Sequence, residues 1–211
     1  MDSDKEETGA FVYQLTRNRQ FTKLGGVQAP GRTYDEHMVL ELTDGTLQML
    51  IRTAYGIAVS YSHDKGYTWL PAEDSHLGGP NSRFFIRRLK SGRVLLVNHH
   101  QYHGRNNLTA LLSEDDGKTW PYTLLLDERA NVAYPDGVEA ADGYIYITYD
   151  RERGAFRNSM AEVMADAREI LMAKITEADI IAGHLTDRGS KLKHIISKLG
   201  AYMDEDPYPT L

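Results

Sequence analysis

Ser62-His63-Asp64-Lys65-Gly66-Tyr67-Thr68-Trp69 decides the fold, because the chain repeats it as Ser113-Glu114-Asp115-Asp116-Gly117-Lys118-Thr119-Trp120. Both follow the pattern Ser-x-Asp-x-Gly-x-Thr-Trp, with Asp64 and Asp115 standing 51 positions apart. Asp and Ser side chains accept hydrogen bonds from nearby backbone N–H groups and hold a tight turn. Gly66 and Gly117 supply the positive φ that other residues resist. Trp69 and Trp120 then begin or bury the next strand as large apolar plugs. A turn motif recurring at about this period marks a repeated supersecondary unit, and it points to propeller blades. A calcium loop would need a Glu closing its ligand set, and neither turn has one. The boxes therefore read as structural.

The repeat extends outward from the boxes. Ile57–Tyr61 leads into the first turn and Leu108–Leu112 into the second. Each unit opens with a strand, a Gly turn and a second strand. Met38–Leu42 meets Leu47–Ile51 across Gly45, and Phe84–Leu89 meets Val94–Asn98 across Gly92. Val138–Ala140 meets Tyr144–Tyr149 across Gly143. Asp-Gly and Ser-Gly between apolar runs are hairpin signals. The third unit lacks a box, and its outer strand is expected at Glu169–Ile175, after a polar insert at 151–168. Residues 11–24 can hold one or two more strands. Residues 177–200 read as helix, with Thr176 as cap and Gly183 and Gly200 as stops. The expectation is an all-β chain: about three four-stranded blades over 11–182, a partial propeller. It is preceded by a disordered acidic N-terminus at 1–10 and followed by a C-terminal helix and tail at 183–211. A closed propeller needs about four to eight blades. Three leave edges and faces bare, so a second copy or a complementing N-terminal half is an expected partner.

Composition bounds the function. With 211 residues, 41% hydrophobic and 26% charged, the chain is long enough for one core. A net charge of −6 argues against nucleic-acid binding. No apolar run is long enough to span a membrane as a helix. Zero cysteines exclude disulfides and thiol chemistry. Residues 1–9 are acidic and polar, unlike a signal peptide, which fits the cytoplasm or an exported protein whose signal lies outside this chain.

The boxes, their spacing and the surrounding strands resemble the sialidases and the wider family of Asp-box (BNR-repeat) glycoside hydrolases, over roughly residues 30–182. That resemblance implies a six-bladed propeller with an active site on its axis. The family uses three arginines that clamp a sugar carboxylate, a Tyr nucleophile, a Glu that activates it and an Asp acid/base. The segment Tyr34-Asp35-Glu36-His37, continued to Met49-Leu50-Ile51-Arg52, resembles the family's Glu-to-Arg segment. It implies Glu36 as activating carboxylate and Arg52 as a clamp arginine. His103-Gly104-Arg105-Asn106-Asn107 resembles the third-arginine strand, with Arg105 as the match, and Val132-Ala133-Tyr134-Pro135-Asp136-Gly137 resembles the nucleophile turn, with Tyr134 as nucleophile. Asp150 stands where the family often has a Glu that steadies an arginine. Arg83 and His103 are further candidates for lining a substrate site.

The residue types suit the chemistry. Arginine offers a planar bidentate donor to a carboxylate. A neutral Tyr escapes the repulsion that a carboxylate nucleophile would meet from an anionic sugar. His99, His100 and His103 cluster in sequence without a Cys or clear carboxylate partner, so neither a metal nor a cofactor is expected. The family's acid/base Asp and first arginine have no match here, because Arg17, Arg19 and Arg32 lie in segments unlike it. At the nucleophile turn the family usually has Tyr-Ser, where this chain has Tyr-Pro. The expected function is therefore a sialidase-like exo-glycoside hydrolase for sialic acid or a related acidic sugar, in a truncated form with little turnover alone. The alternative is a non-catalytic glycan-binding or scaffold propeller.

Overall fold

The computed structural model describes residues 9–152 and 168–198. A hairpin of β1 (Ala10–Leu15) and β2 (Phe21–Val27) precedes three four-stranded antiparallel sheets, each a meander in chain order. The first sheet holds β3 (Arg32–Glu41), β4 (Leu47–Thr53), β5 (Gly56–Ser62) and β6 (Glu73–Asp74). The second holds β7 (Phe85–Arg88), β8 (Val94–His99), β9 (Leu108–Ser113) and β10 (Tyr122–Asp127). The third holds β11 (Val132–Glu139), β12 (Ile145–Arg151), β13 (Glu169–Ile175) and β14 (Lys191–Lys198). One helix, α1 (Glu177–Ala182), lies between β13 and β14. No described helix is long and apolar enough to cross a membrane.

The sheets stack serially. Strand periodicity sends alternate residues to opposite faces. Val94 and Leu96 of β8 face the first sheet and meet Leu50, Ile57 and Val59. Leu95 and Val97 face the third sheet and meet Ile145, Ile147, Leu171 and Ala173. The far face of the first sheet, with Met49 and Ile51, is covered by Ala10, Val12, Val27 and Ala29. Each such fully buried aliphatic side chain contributes roughly 1.5–3 kcal/mol, which is why β8 and β9 tolerate burial on both faces.

The two boxes share their turn bonds and differ at the Trp, where Trp69 Nε1 donates to the Gly66 carbonyl at 3.0 Å and the buried Trp120 Nε1 has no partner among the described residues. Asp64 accepts from the Thr68 amide at 2.8 Å and the Thr68 hydroxyl at 2.6 Å, and the Ser62 hydroxyl accepts from the Gly66 amide at 2.8 Å. Asp115, Thr119, Ser113 and Gly117 repeat these four groups at the same distances. Gly66 and Gly117 take φ of 93° and 82°. Hydrogen bonds from Thr68 and Thr119 hold both carboxyls at a pKa of about 2.

Four sequence expectations need correction. Residues 177–200 are not one helix. The capping box of Thr176 and Asp179 starts α1, and Gly183, at φ 72°, stops it after six residues. Asp179, fully buried, then accepts from the Thr186 amide and hydroxyl and from the Ser190 hydroxyl, folding the chain back. Burial would raise the Asp179 pKa, but those bonds outweigh it and hold the carboxyl well below the usual range. Lys191–Lys198 can then pair with β13. The outer strand of the third sheet is accordingly β14, with β13 inside it, and the boundary expected at 182 falls inside a continuous structure. Lastly, Ala10 opens β1 and is fully buried, so it does not belong to a loose N-terminus. Residues 1–8, most of the polar insert and the tail at 203–211 lie outside the described residues.

Candidate active site

Two ladder faults aim the candidate residues. In β3, Arg32 pairs with Thr53 and the next partnership is His37 with Ile51, so Thr33–Glu36 bulge out of the sheet. In β11, Ala133 pairs with Asp150 and Asp136 with Thr148, leaving one extra residue around Tyr134-Pro135. Pro135 has no N–H for a ladder. Tyr134 sits at φ 56°, a left-handed conformation that costs a bulky residue about 1–2 kcal/mol. Bulges of this kind re-aim side chains beside functional sites.

Arg52, at the end of β4, is the centre on which these side chains converge. Its side chain is 2% exposed. Nη1 donates to a Glu36 carboxylate oxygen at 2.5 Å and to the Tyr134 hydroxyl at 3.2 Å. Nε donates to Asn81 Oδ1 at 2.7 Å and Nη2 to the Asn81 carbonyl at 2.9 Å. The Tyr34 ring covers the guanidinium at 4.4 Å. Burial would lower the Arg52 pKa, but the bonds to Glu36 and Tyr134 outweigh it, so the charge is kept. A buried guanidinium is tolerated because nearly all its donors are used.

Arg105 comes from the loop between β8 and β9. Its Nη2 donates to the Asn81 carbonyl at 2.9 Å, and its guanidinium lies 5.9 Å from the centre of the Tyr134 ring. Among the described residues no carboxylate pairs with it. Arg83, just before β7, reaches Asp136 at 3.5 Å across the second and third sheets. A cleft of about 250 Å³ opens beside them, lined by Asp35, Glu36, His37, Met38, Arg83 and Phe84. Glu36, Arg52, Arg105, Tyr134 and Arg83 are thus brought to one end of the sheets. Asp150 lies there too, opposite Ala133 in the ladder. His103 is exposed in its loop, where its amide donates to the Asn106 side chain.

The three neighbouring histidines do not share a place. His100 and His103 are exposed, whereas His99 is 1% exposed and Nε2 bonds the Val132 carbonyl at 2.9 Å. Burial pushes its pKa down to about 4, against the Val132 bond and with the help of the Arg105 charge. Among the described residues no group of three His, Cys, Asp or Glu could hold a metal.

Asn81 and Tyr34 escaped the sequence reading. Gly78-Gly79-Pro80-Asn81-Ser82 reads only as a loop. Its geometry is specific nonetheless: Gly79 sits at φ 108°, and a Cβ there would meet the Asn98 side chain at 2.9 Å. That close approach presses the loop against β8 and delivers Asn81 to both arginines.

The match to known families now has a structural counterpart. The model of the BNR repeat-like domain matches residues 5–147. The chain belongs to the BNR repeat-like family. No curated protein matches this BNR repeat-like chain. Among solved structures it is similar to the NanB sialidase from Streptococcus pneumoniae, with a TM-score of 0.55 and 20% identity over 69% of this chain and 25% of that one. It is also similar to the intramolecular trans-sialidase from Ruminococcus gnavus, at 0.56 and 18% identity over 76% of this chain and 36% of that one. A Penicillium chrysogenum alpha-L-arabinanase complexed with arabinobiose gives 0.51 and 16% over 93% and 56%. The BNR repeat-like chain therefore shares its fold with these structures and spans about a quarter of the NanB chain. Identities this low speak to fold alone.

Proposed function

We propose that this chain is part of a glycoside hydrolase-like β-propeller, its three four-stranded sheets being three blades, and that it takes a terminal acidic sugar such as sialic acid. The observation that carries the reading is Arg52, which holds the Glu36 carboxylate and the Tyr134 hydroxyl through one nitrogen. Tyr normally ionises near pH 10, so a phenolic nucleophile needs a base and positive charge close by. Glu36 supplies the first, and Arg52 and Arg105 supply the second. Arg105, with no carboxylate partner among the described residues, is the group left to receive a ligand carboxylate bidentately. Tyr134 would attack the anomeric carbon and Glu36 would take its proton. The residue that would protonate the leaving group has no match in the sequence, and such a group is worth roughly 10²–10⁴-fold. Turnover by the isolated chain is therefore expected to be slow but measurable at high protein concentration.

A second reading, a glycan-binding module without catalysis, draws support from the same contact. Glu36 is ion-paired to Arg52, which opposes its use as a base. One set of measurements separates the two: hydrolysis of a fluorogenic aryl sialoside, and titration with N-acetylneuraminic acid. Both readings expect binding that Arg105→Ala abolishes. Turnover lost in Tyr134→Phe supports the hydrolase, and binding that survives Tyr134→Phe without any turnover supports the module. Absence of binding by the wild type overturns both.

A further inference from the structure

We propose that Asn81 is the positioning residue of this site, one residue that sets the placement of both arginines. The inference rests on the acidic-sugar reading for the ligand it names. Its amide oxygen accepts from Arg52 Nε at 2.7 Å and from the Thr33 hydroxyl at 2.9 Å. Two donors on that atom fix which way the amide faces. Its main-chain carbonyl accepts from Nη2 of Arg52 and Nη2 of Arg105, each at 2.9 Å. The two nitrogens therefore lie within twice that distance of each other, although like charges repel. Both lone pairs of the carbonyl are directed at cations, which offsets that repulsion.

The division of labour follows from the donor count. A guanidinium has five N–H groups. Arg52 directs donors to Glu36, Tyr134, the Asn81 amide and the Asn81 carbonyl, and its side chain is 2% exposed. It is a frame for the site. Arg105 is half-buried, and the Asn81 carbonyl anchors one end of its fork. Its remaining donors are the ones a ligand carboxylate can meet. Asn81 thus acts at a distance on the ligand: its side chain holds Arg52 and the backbone behind that side chain holds Arg105. Glu36 and Tyr134 touch the same Arg52, so Asn81 also sets where the carboxylate and phenol meet.

The test uses the full chain with two readouts. Solvent exchange of the Arg52 Nε–H, followed by NMR, reports positioning without any ligand. Titration with N-acetylneuraminic acid and with its methyl ester reports the effect on an anionic and a neutral ligand. Asn81→Ala is expected to speed Nε–H exchange and to weaken acid binding by about tenfold, the usual size for a lost hydrogen bond to a charged group. The weaker ester binding should stay unchanged. Asn81→Asp keeps an acceptor oxygen and is expected to restore slow Nε–H exchange, while its added negative charge beside the two arginines keeps acid binding weak. Unchanged Nε–H exchange in Asn81→Ala overturns the proposal, and so does failure of Asn81→Asp to restore slow exchange. Should Asn81→Ala not fold, Asn81→Asp carries the test: the Arg52 Nε–H resonance must move downfield against its new charged acceptor, and an unmoved resonance overturns the proposal. If Nε–H exchange responds as expected while Arg105→Ala binds the acid like the wild type, Asn81 stands and the acidic-sugar reading falls.

Discussion

His99 is sealed between β8 and the start of β11, one ring nitrogen bonded to the Val132 carbonyl. Its pKa is about 4 in the fold against 6.5 unperturbed. Below pH 6.5 the unfolded chain therefore binds more protons at this residue than the folded chain does. Stability is fully present above 6.5, declines between 6.5 and 4, and is flat below that as far as this group goes. The loss is on the order of 3 kcal/mol, at about 1.4 kcal/mol per pKa unit. His99→Gln, which keeps a donor for Val132, is expected to flatten urea midpoints between pH 6.5 and 4. An unchanged slope would sink the assignment. The boxes act lower, since the Asp64 and Asp115 contributions are lost only as pH falls from 3.8 toward about 2. The family resemblance names Glu36, Arg52 and Tyr134 as candidates, and the structure brings these three side chains together. The sequence could not expose His99, because β8 is buried on both faces up to this last residue, while His100 just beyond it faces solvent. Nor could it name Asn81, half of whose role belongs to a main-chain carbonyl that every residue possesses.

The turns and the strands they join were legible because turn chemistry is local. Gly117 and Gly92 test how much of that is backbone and how much is contact. Both sit at positive φ, 82° and 91°. A Cβ on Gly117 would stand 3.2 Å from the Trp120 ring, whereas one on Gly92 meets nothing within 4 Å. Both alanine variants are expected to lose about 1–2 kcal/mol to the left-handed backbone. Gly117→Ala should lose more, as Trp120 must shift, and equal urea midpoints would refute the contact. The segment after α1 was misread because its reversal depends on one buried carboxylate. Asp179→Ala leaves the Thr186 and Ser190 donors without their acceptor. Hydrogen exchange is expected to show β14 amides losing protection while those of β8 keep theirs. Equal loss in both strands would mean that Asp179 supports the whole molecule instead.

The three sheets are unequally covered. The hairpin segment closes the far face of the first, while Val138 and Ile170 stand about half exposed on the far face of the third. If, as proposed, the three sheets are blades of half a ring, a second copy is one way to complete it. Light scattering is then expected to return twice the monomer mass of 23.8 kDa, and a monodisperse monomer rules that out. The candidate site draws on all three sheets: Arg52 from the first, Asn81 and Arg105 from around the second, Tyr134 from the third. A serial stack has a known weakness, because each layer is held only by its neighbours and terminal layers can fray alone. The contact from Arg52 to Tyr134 ties the first layer to the third and skips the middle one. A ligand seated on these residues would stabilise only the state in which all layers are assembled. Occupancy would thereby convert a stack able to melt from its ends into one that melts as a unit.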